Sequence, residues 1–287
     1  MGEKMKKQIV GIPGRAGSFS YTAVEQLFGL QGASILECDS LPVLFDRFTA
    51  GEADFAVVPI TNTLAGIVPG SLELIEQHKK CFAVAETYVL VRHTLLAAPG
   101  VKFEDIHEVL SHPVALAQCT EFFRKNPQIR GVQAFDTAGA VEIVVADKSG
   151  TKAAIGSKRT VEIYGAQVLR DGLQDDERNW TRFLLLSNKA ETGSFQAQTK
   201  VSVCFKLKHA AGELIRALQP FNECGINLWQ LTSRPVRYSP EEVWFFLECF
   251  VEQNEQENLE SALESFYSRA RSVRILGRYL AANLPYE

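Results

Sequence analysis

The stretch Val57–Gly66, VVPITNTLAG, runs apolar through Val57, Val58 and Ile60 and then surfaces in Thr61, Asn62 and Thr63 before Leu64, Ala65 and Gly66. An apolar run of this kind, entered through Asp54 and Phe55, reads as a strand buried on both faces, as in sheets covered by helices. Ligands in open α/β sheets sit off the carboxyl ends of strands. Three neutral hydrogen-bonding side chains at such an end therefore mark a candidate site. Taken alone, Thr61 and Asn62 read better as caps of the following turn or helix.

Working outward, Gln8–Ile12 (QIVGI) reads as an earlier buried strand, followed by the turn PGRAGS and a helix from about Ser20 to Leu30. SILEC is the next strand, and Ser40 caps a helix with Pro42 in its first turn and Leu41, Leu44, Phe45 and Phe48 on one face. Ser71 opens a helix toward His78. The alternation argues for a parallel or mixed sheet with helices over it. Cys81 to Leu96 is rich in β-branched residues and is expected as extended chain crossing between two lobes.

A second α/β unit follows, with strands EVLSH, VQAFD, AAIG and AQVLR and helices over about Pro113–Lys125, Ala138–Ala146 and Lys158–Tyr164. The polar segment Lys189–Thr199 reads as a linker, with a domain boundary near residue 195. Beyond it the order is strand KVSVCFKLK, helix GELIRALQPFNECG, strand INLWQLTSRPV, strand EVWFFLECFV, helix Gln256–Arg271 and strand VRILGRYL. That β-α-β-β-α-β order is the split βαβ, or ferredoxin-like, arrangement. Its small sheet has open edges that a second copy can pair, a route to a dimer.

With 287 residues, 46% of them apolar and 22% charged, the chain can bury more than one core. The formal net charge is -4 and its basic residues are interspersed with acidic ones, so no nucleic-acid or membrane-surface footprint is present. No run reaches the roughly 20 apolar residues of a membrane span, and a cytoplasmic protein is expected. The six cysteines stand singly, without a CxxC pair, and His107 and His112 are five apart, off helical metal-site spacing. No metal is expected.

GIPGRAGSFS sets Gly11, Gly14 and Gly17 between a strand and a helix, where N–H groups can receive an anion, although neither the P-loop nor the dinucleotide fingerprint is matched. LSHPVALAQC brings Ser111 to a strand end as a helix cap, with Pro113 in the first turn and Gln118 one and a half turns later. NWTRF places Asn179, Thr181 and Arg182 directly before an apolar strand, the last two a hydroxyl and a guanidinium suited to an oxygenated anion.

These stretches, with DTAGA, YGAQVLRDGLQDDERNWTRFLLL and GINLWQLTSRP, stand in the order and spacing of the prephenate dehydratase family, whose plant relatives include arogenate dehydratases, and the chain resembles that family from Val10 to about Leu280. The resemblance implies an α/β fold: a two-lobed, periplasmic-binding-protein-like catalytic domain over residues 1–190, followed by a ferredoxin-like (βαββαβ) ACT regulatory domain over 200–287. Lobe one takes about 1–82 plus 172–190, and lobe two about 83–171.

The reaction implied is loss of water and carbon dioxide from prephenate to give phenylpyruvate, in phenylalanine synthesis, with no cofactor. Aromatisation drives it, so neutral donors are adequate. By position, Thr181 is the hydroxyl that donates to the departing oxygen, with Asn62, Gln118 and Ser111 as further catalytic residues. Ser20, Thr61, Thr63, Thr137, Arg182 and Phe183 contact substrate, Arg182 as a counter-charge. The family's usual PIEN is PITN here, so Thr61 stands where a Glu is common, and Tyr21 occupies another acidic position. Loss of a charge-assisted hydrogen bond is worth about 1.5 to 3 kcal/mol, roughly ten- to a hundredfold in rate.

In the ACT domain the resemblance implies an amino-acid effector, phenylalanine in the family, held between subunits by Gly212, Glu213, Leu214, Asn227, Leu228, Thr232, Ser233, Arg234 and Pro235. Glu213 and Thr232 depart from the family pattern. The partners implied are a small-molecule substrate, the effector and a second copy, as a homodimer or homotetramer. Two alternatives stay open: an arogenate dehydratase, and a non-catalytic sensor of the same fold.

Overall fold

A computed structural model describes residues 7–189, 198–236 and 238–283. The centre of the expected linker, 190–197, lies outside the described residues. The chain divides into two compact units, Met1–Leu74 with Thr87–Phe183, and Ile75–Glu86 with Leu184–Glu287.

The first sheet contains β1 (Gln8–Pro13), β2 (Ala33–Cys38), β3 (Phe55–Asn62), the short β4 (Gly66–Ile67) and β5 (Phe82–Leu90), joined late in the chain by β11 (Trp180–Ser187). Its order is β2-β1-β3-β11-β5, with β4 on β3. β1 pairs parallel with both β2 and β3. Val10, Ile12, Val57, Val58 and Ile60 are fully buried, as apolar runs covered on both faces require. α1 (Phe19–Phe28) is capped by Ser18, whose hydroxyl accepts from the Tyr21 N–H, and α2 (Leu41–Thr49) by Ser40 in the same way. α3 (Ser71–Gln77) follows β4.

The chain crosses to the second sheet at Val91–His93 rather than near residue 83. The expected single extended run becomes two strands, because β5 belongs to the first sheet and β6 (Thr94–Ala97) to the second. The second sheet adds β7 (Glu108–Ser111), β8 (Arg130–Gln133), β9 (Lys152–Gly156) and β10 (Gln167–Arg170), in the order β10-β6-β9-β7-β8. Leu95 and Leu96 enter different apolar clusters, as side-chain alternation along a strand requires. α6 (Thr137–Ala146) and α7 (Thr160–Tyr164) flank β9.

The helix expected over Pro113–Lys125 is broken into α4 (Pro113–Ala117) and α5 (Thr120–Lys125). Asp175 causes the break. Its carboxylate receives the N–H groups of Thr120 at 2.8 Å and Glu121 at 3.0 Å and the Thr120 hydroxyl at 2.6 Å, a cap supplied from 55 residues away.

Within this unit the two sheets are tied by Arg159, whose Nη2 is 2.7 Å from Glu25 Oε1, and by the Tyr164 hydroxyl donating to the Ala16 carbonyl at 3.0 Å. Gly17 makes the approach possible. It sits at φ +83°, and a Cβ there would lie 2.8 Å from Thr160 Cγ2.

The other unit carries β12 (Gln198–Lys208), α8 (Glu213–Glu223), β13 (Leu228–Val236), β14 (Ser239–Glu252), α9 (Gln256–Tyr267) and β15 (Arg271–Leu280). The strands form an antiparallel sheet in the order β13-β14-β12-β15. The β-α-β-β-α-β order expected from the hydrophobic pattern is present. Phe205 stacks on Phe245 at 5.0 Å and meets Phe266 edge-on at 4.9 Å in its core. A fully buried ion pair, Lys200 Nζ to Glu86 Oε1 at 2.7 Å, lies in the same unit.

Candidate active site

A cavity of about 610 Å³ in the first unit is lined by Ser20, Asn62, Gln118, Thr137, Thr181 and Phe183, together with His93, His112 and Asp136. Its size suits a small organic ligand. β3 and β11 deliver Asn62 and Thr181 from neighbouring strands.

The hydrogen bonds there run in one direction. Asn62 Oδ1 receives the backbone N–H groups of Leu64 at 3.0 Å and Ala65 at 2.8 Å. Backbone N–H groups only donate, so the carboxamide orientation of Asn62 is forced. Its Nδ2 then donates to Asn179 Oδ1 at 2.7 Å and to Thr181 Oγ1 at 2.9 Å. Asn179 Nδ2 in turn donates to Gln118 Oε1 at 2.9 Å. All four hydrogen-bonding capacities of Asn62 are thereby used, and its role is to hold Thr181 and Asn179 rather than to touch a ligand. Thr181 Oγ1, already accepting, keeps its proton for another partner.

The loop before β11 is built around this arrangement. Thr63 Oγ1 donates to the Arg178 carbonyl at 2.6 Å and accepts the Trp180 N–H at 2.9 Å, so Thr63 fastens loop to strand instead of lining the cavity. Asp175 N donates to the Gln118 carbonyl at 2.8 Å and Val91 N to the Asn179 carbonyl at 2.7 Å. The run QDDERNW thus works as a clamp on both sides of Gln118.

Three further expected residues lie elsewhere. Arg182 is 2% exposed and outside the cavity lining, although Thr181 and Phe183 on either side of it are in that lining. Alternation along β11 turns it to the opposite face, so it is no counter-charge for a ligand there. Ser111 is fully buried and donates to the Ile155 carbonyl at 2.6 Å, and His112, not Ser111, caps α4. Thr61 pairs with Ile67 in the β3–β4 ladder and does not line the cavity. The substitution of Thr for the usual Glu therefore falls beside the cavity.

Among the described lining residues there is no lysine or arginine, and Asp136 is the one carboxylate, its Oδ1 capping α6 at the Gly139 N–H at 2.6 Å. Burial lowers the pKa of both His93 and His112, with Asp136 partly opposing this at His112. The cavity is thus furnished mainly with neutral donors and acceptors. The sequence marked Asn179 only as a polar residue before the apolar strand and gave His93 no role. Asn179 had a clue in its place beside Trp180 and Thr181, whereas His93 follows an apolar strand with no motif around it.

Residues 10–191 match the family model described as prephenate dehydratase. The chain belongs to the prephenate dehydratase family. Arogenate dehydratase/prephenate dehydratase 2, chloroplastic, of Arabidopsis thaliana is 32% identical over 278 residues, covering 94% of this chain and 72% of the relative. The structure of a prephenate dehydratase from Arthrobacter aurescens in complex with L-Phe superposes with a TM-score of 0.87 at 27% identity, covering 96% of this chain and 90% of that one. A structure described as GqqA, a novel type of quorum-quenching acylase, superposes with a TM-score of 0.85 at 27% identity, covering 96% and 98%. In this member of the dehydratase family, as in its sequence pattern, no helix among the described residues is long and apolar enough to cross a membrane.

The residues expected to hold an effector fall on two elements of the other unit. Gly212, at φ +80°, precedes α8, whose first turn holds Glu213, ion-paired with Arg216, and Leu214. Asn227 precedes β13, an edge strand on which Leu228, Thr232 and Arg234 alternate with the more exposed Ser233 and Pro235.

Proposed function

We propose that this chain catalyses the decarboxylating dehydration of prephenate to phenylpyruvate, in phenylalanine synthesis, with Thr181 as the donor to the leaving oxygen. The observation that carries the reading is the contact of Asn62 Nδ2 with Thr181 Oγ1 in a cavity furnished with neutral polar groups. As the bond to the ring carboxylate breaks, its electron pair enters the ring, carbon dioxide departs, and the C4 oxygen leaves with the pair of its own bond as hydroxide, which takes a proton from solvent to become water. Thr181 offers a hydrogen bond to charge that develops on that oxygen, the kind of interaction that lowers a barrier selectively. The ring carboxylate loses its charge in the reaction, so strong stabilisation of it by a buried lysine or arginine would hinder the step. Ser20, Thr137 and the amide N–H groups of Gln118 are among the lining groups that can hold the substrate.

The acylase description attached to one structural neighbour would need an activated nucleophile. Here the Ser111 hydroxyl is spent on a backbone carbonyl, and Thr181 oxygen meets an amide donor rather than a base. That chemistry favours the lyase reading.

The first unit's two sheets act as the catalytic domain, and residues 200–287 as an ACT domain that binds an amino acid, phenylalanine in this reading, between two copies paired along an edge such as β13. L-Phe in the related Arthrobacter structure supports this. The test is phenylpyruvate formation from prephenate by the purified protein, with arogenate in parallel, Thr181→Ala as control, and phenylalanine added. Turnover of arogenate alone would transfer the reading to that substrate. Ligand-dependent stabilisation without turnover would favour a sensor.

A further inference from the structure

His93 is 1% exposed and lines the cavity from the segment between β5 and β6. Its main chain is fixed at both ends, the N–H donating to Gln174 Oε1 at 2.9 Å and the carbonyl accepting from the Leu173 N–H at 2.9 Å. Phe19 meets its ring edge-on at 5.8 Å. Its Nε2 lies 2.9 Å from Gln118 Oε1.

The proton on that contact is assigned by the network. Gln118 Oε1 also receives Asn179 Nδ2, whose orientation is inherited from Asn62 and ultimately from the backbone N–H groups of Leu64 and Ala65. An amide oxygen cannot donate, so His93 must carry its proton on Nε2. The other nitrogen, Nδ1, is buried without a partner. A proton there would bury a charge and a donor with nothing to receive it, so the imidazole is held neutral in one tautomer.

We propose that His93 is a positioning residue: its Nε2–H, together with Asn179, saturates the Gln118 carbonyl oxygen and so leaves both amide N–H groups of Gln118 to a carboxylate or hydroxyl oxygen of the substrate. Gln118 Nε2 makes no hydrogen bond to protein among the described residues, in keeping with that assignment. The relay is thereby anchored at both ends, by backbone N–H groups at Asn62 and by an imidazole N–H at Gln118. This inference rests on the dehydratase reading for its meaning but on geometry alone for the tautomer.

Two measurements on the full chain test it. Nitrogen-15 NMR of the histidine side chains, with His93 assigned by its loss in His93→Gln, reads the tautomer directly, and neutral Nε2–H is expected at pH 7. Kinetics with prephenate then compare His93→Leu, which removes the donor, with His93→Gln, whose Nε2 can take its place. Misplacing one substrate-holding group costs on the order of a hundredfold. His93→Leu should lose about that much in kcat with KM changed far less, while His93→Gln recovers most of it. Equal losses in both variants, an unaffected His93→Leu, or an Nδ1–H tautomer would overturn the proposal. A wild-type protein that turns over neither prephenate nor arogenate would sink the dehydratase reading instead, and the tautomer would still decide the His93–Gln118 contact.

Discussion

Asn62 Nδ2 lies 2.9 Å from Thr181 Oγ1 across 119 positions of chain, while the same amide's oxygen closes the turn at Leu64 and Ala65. One side chain thus reads the backbone on one side and orients a reactive hydroxyl on the other. Asn62→Asp separates the two functions. The carboxylate keeps the turn's acceptor, but it cannot donate to Thr181 or Asn179. A loss of about a hundred- to a thousandfold in kcat is expected, comparable with removal of an oriented transition-state donor. Circular dichroism and thermal melting close to wild type, beside the kinetic loss, would show that the fold is kept.

The buried imidazole of His93 makes stability depend on pH in a definable window. Burial lowers the folded-state pKa of His93 below the 6.5 of a free imidazole. Below about pH 6.5 the unfolded chain binds protons that the folded chain refuses, so stability falls as pH drops through that window and is fully present above it. Melting temperatures between pH 7 and 5.5 should therefore fall more steeply for the wild type than for His93→Gln. Equal slopes would contradict the neutral burial of His93.

All six cysteines are free thiols, and five of them are buried. Burial pushes the thiols of Cys119, Cys204 and Cys249 up to about 12 and raises Cys38 and Cys81 as well. Thiolate is the reactive form. A colorimetric thiol reagent at pH 8 should find at most one fast group in the native protein, Cys224, and six after denaturation.

Lys200 and Glu86 are both fully buried, 2.7 Å apart. Glu86 Oε1 also receives the Ala282 N–H at 3.1 Å. Lys200→Met leaves a carboxylate without its cation, a loss of about 3 to 5 kcal/mol. Lys200→Met with Glu86→Gln should recover much of it, as denaturant titration of both variants would reveal.

Legibility in the sequence followed the range of the interactions. Ser40, Pro42 and the Leu44, Phe45, Phe48 face announced α2 because caps and helical periodicity are local. The β-α-β-β-α-β order of the last unit was equally legible from alternation and turns. The split of α4 from α5 was not, since the cap at Thr120 comes from Asp175, 55 residues away. Asn62, Gln118 and Thr181 stood out at strand and helix ends, and the fold gathers them in one cavity. Arg182 was misread because its charge outweighed its position: between Thr181 and Phe183 on a strand it must face the other way. His93 carried no mark at all, for its partner Gln118 is 25 residues distant and its environment exists only once both sheets are in place.

The most direct test is phenylpyruvate formation from prephenate by wild type and Thr181→Ala, with arogenate assayed beside it. Turnover of prephenate by the wild type, reduced about a hundred- to a thousandfold in a variant that melts normally, is the expected result. Full activity in Thr181→Ala, or no turnover of either compound by well-folded wild type, would contradict the role given to Thr181 and the function built on it.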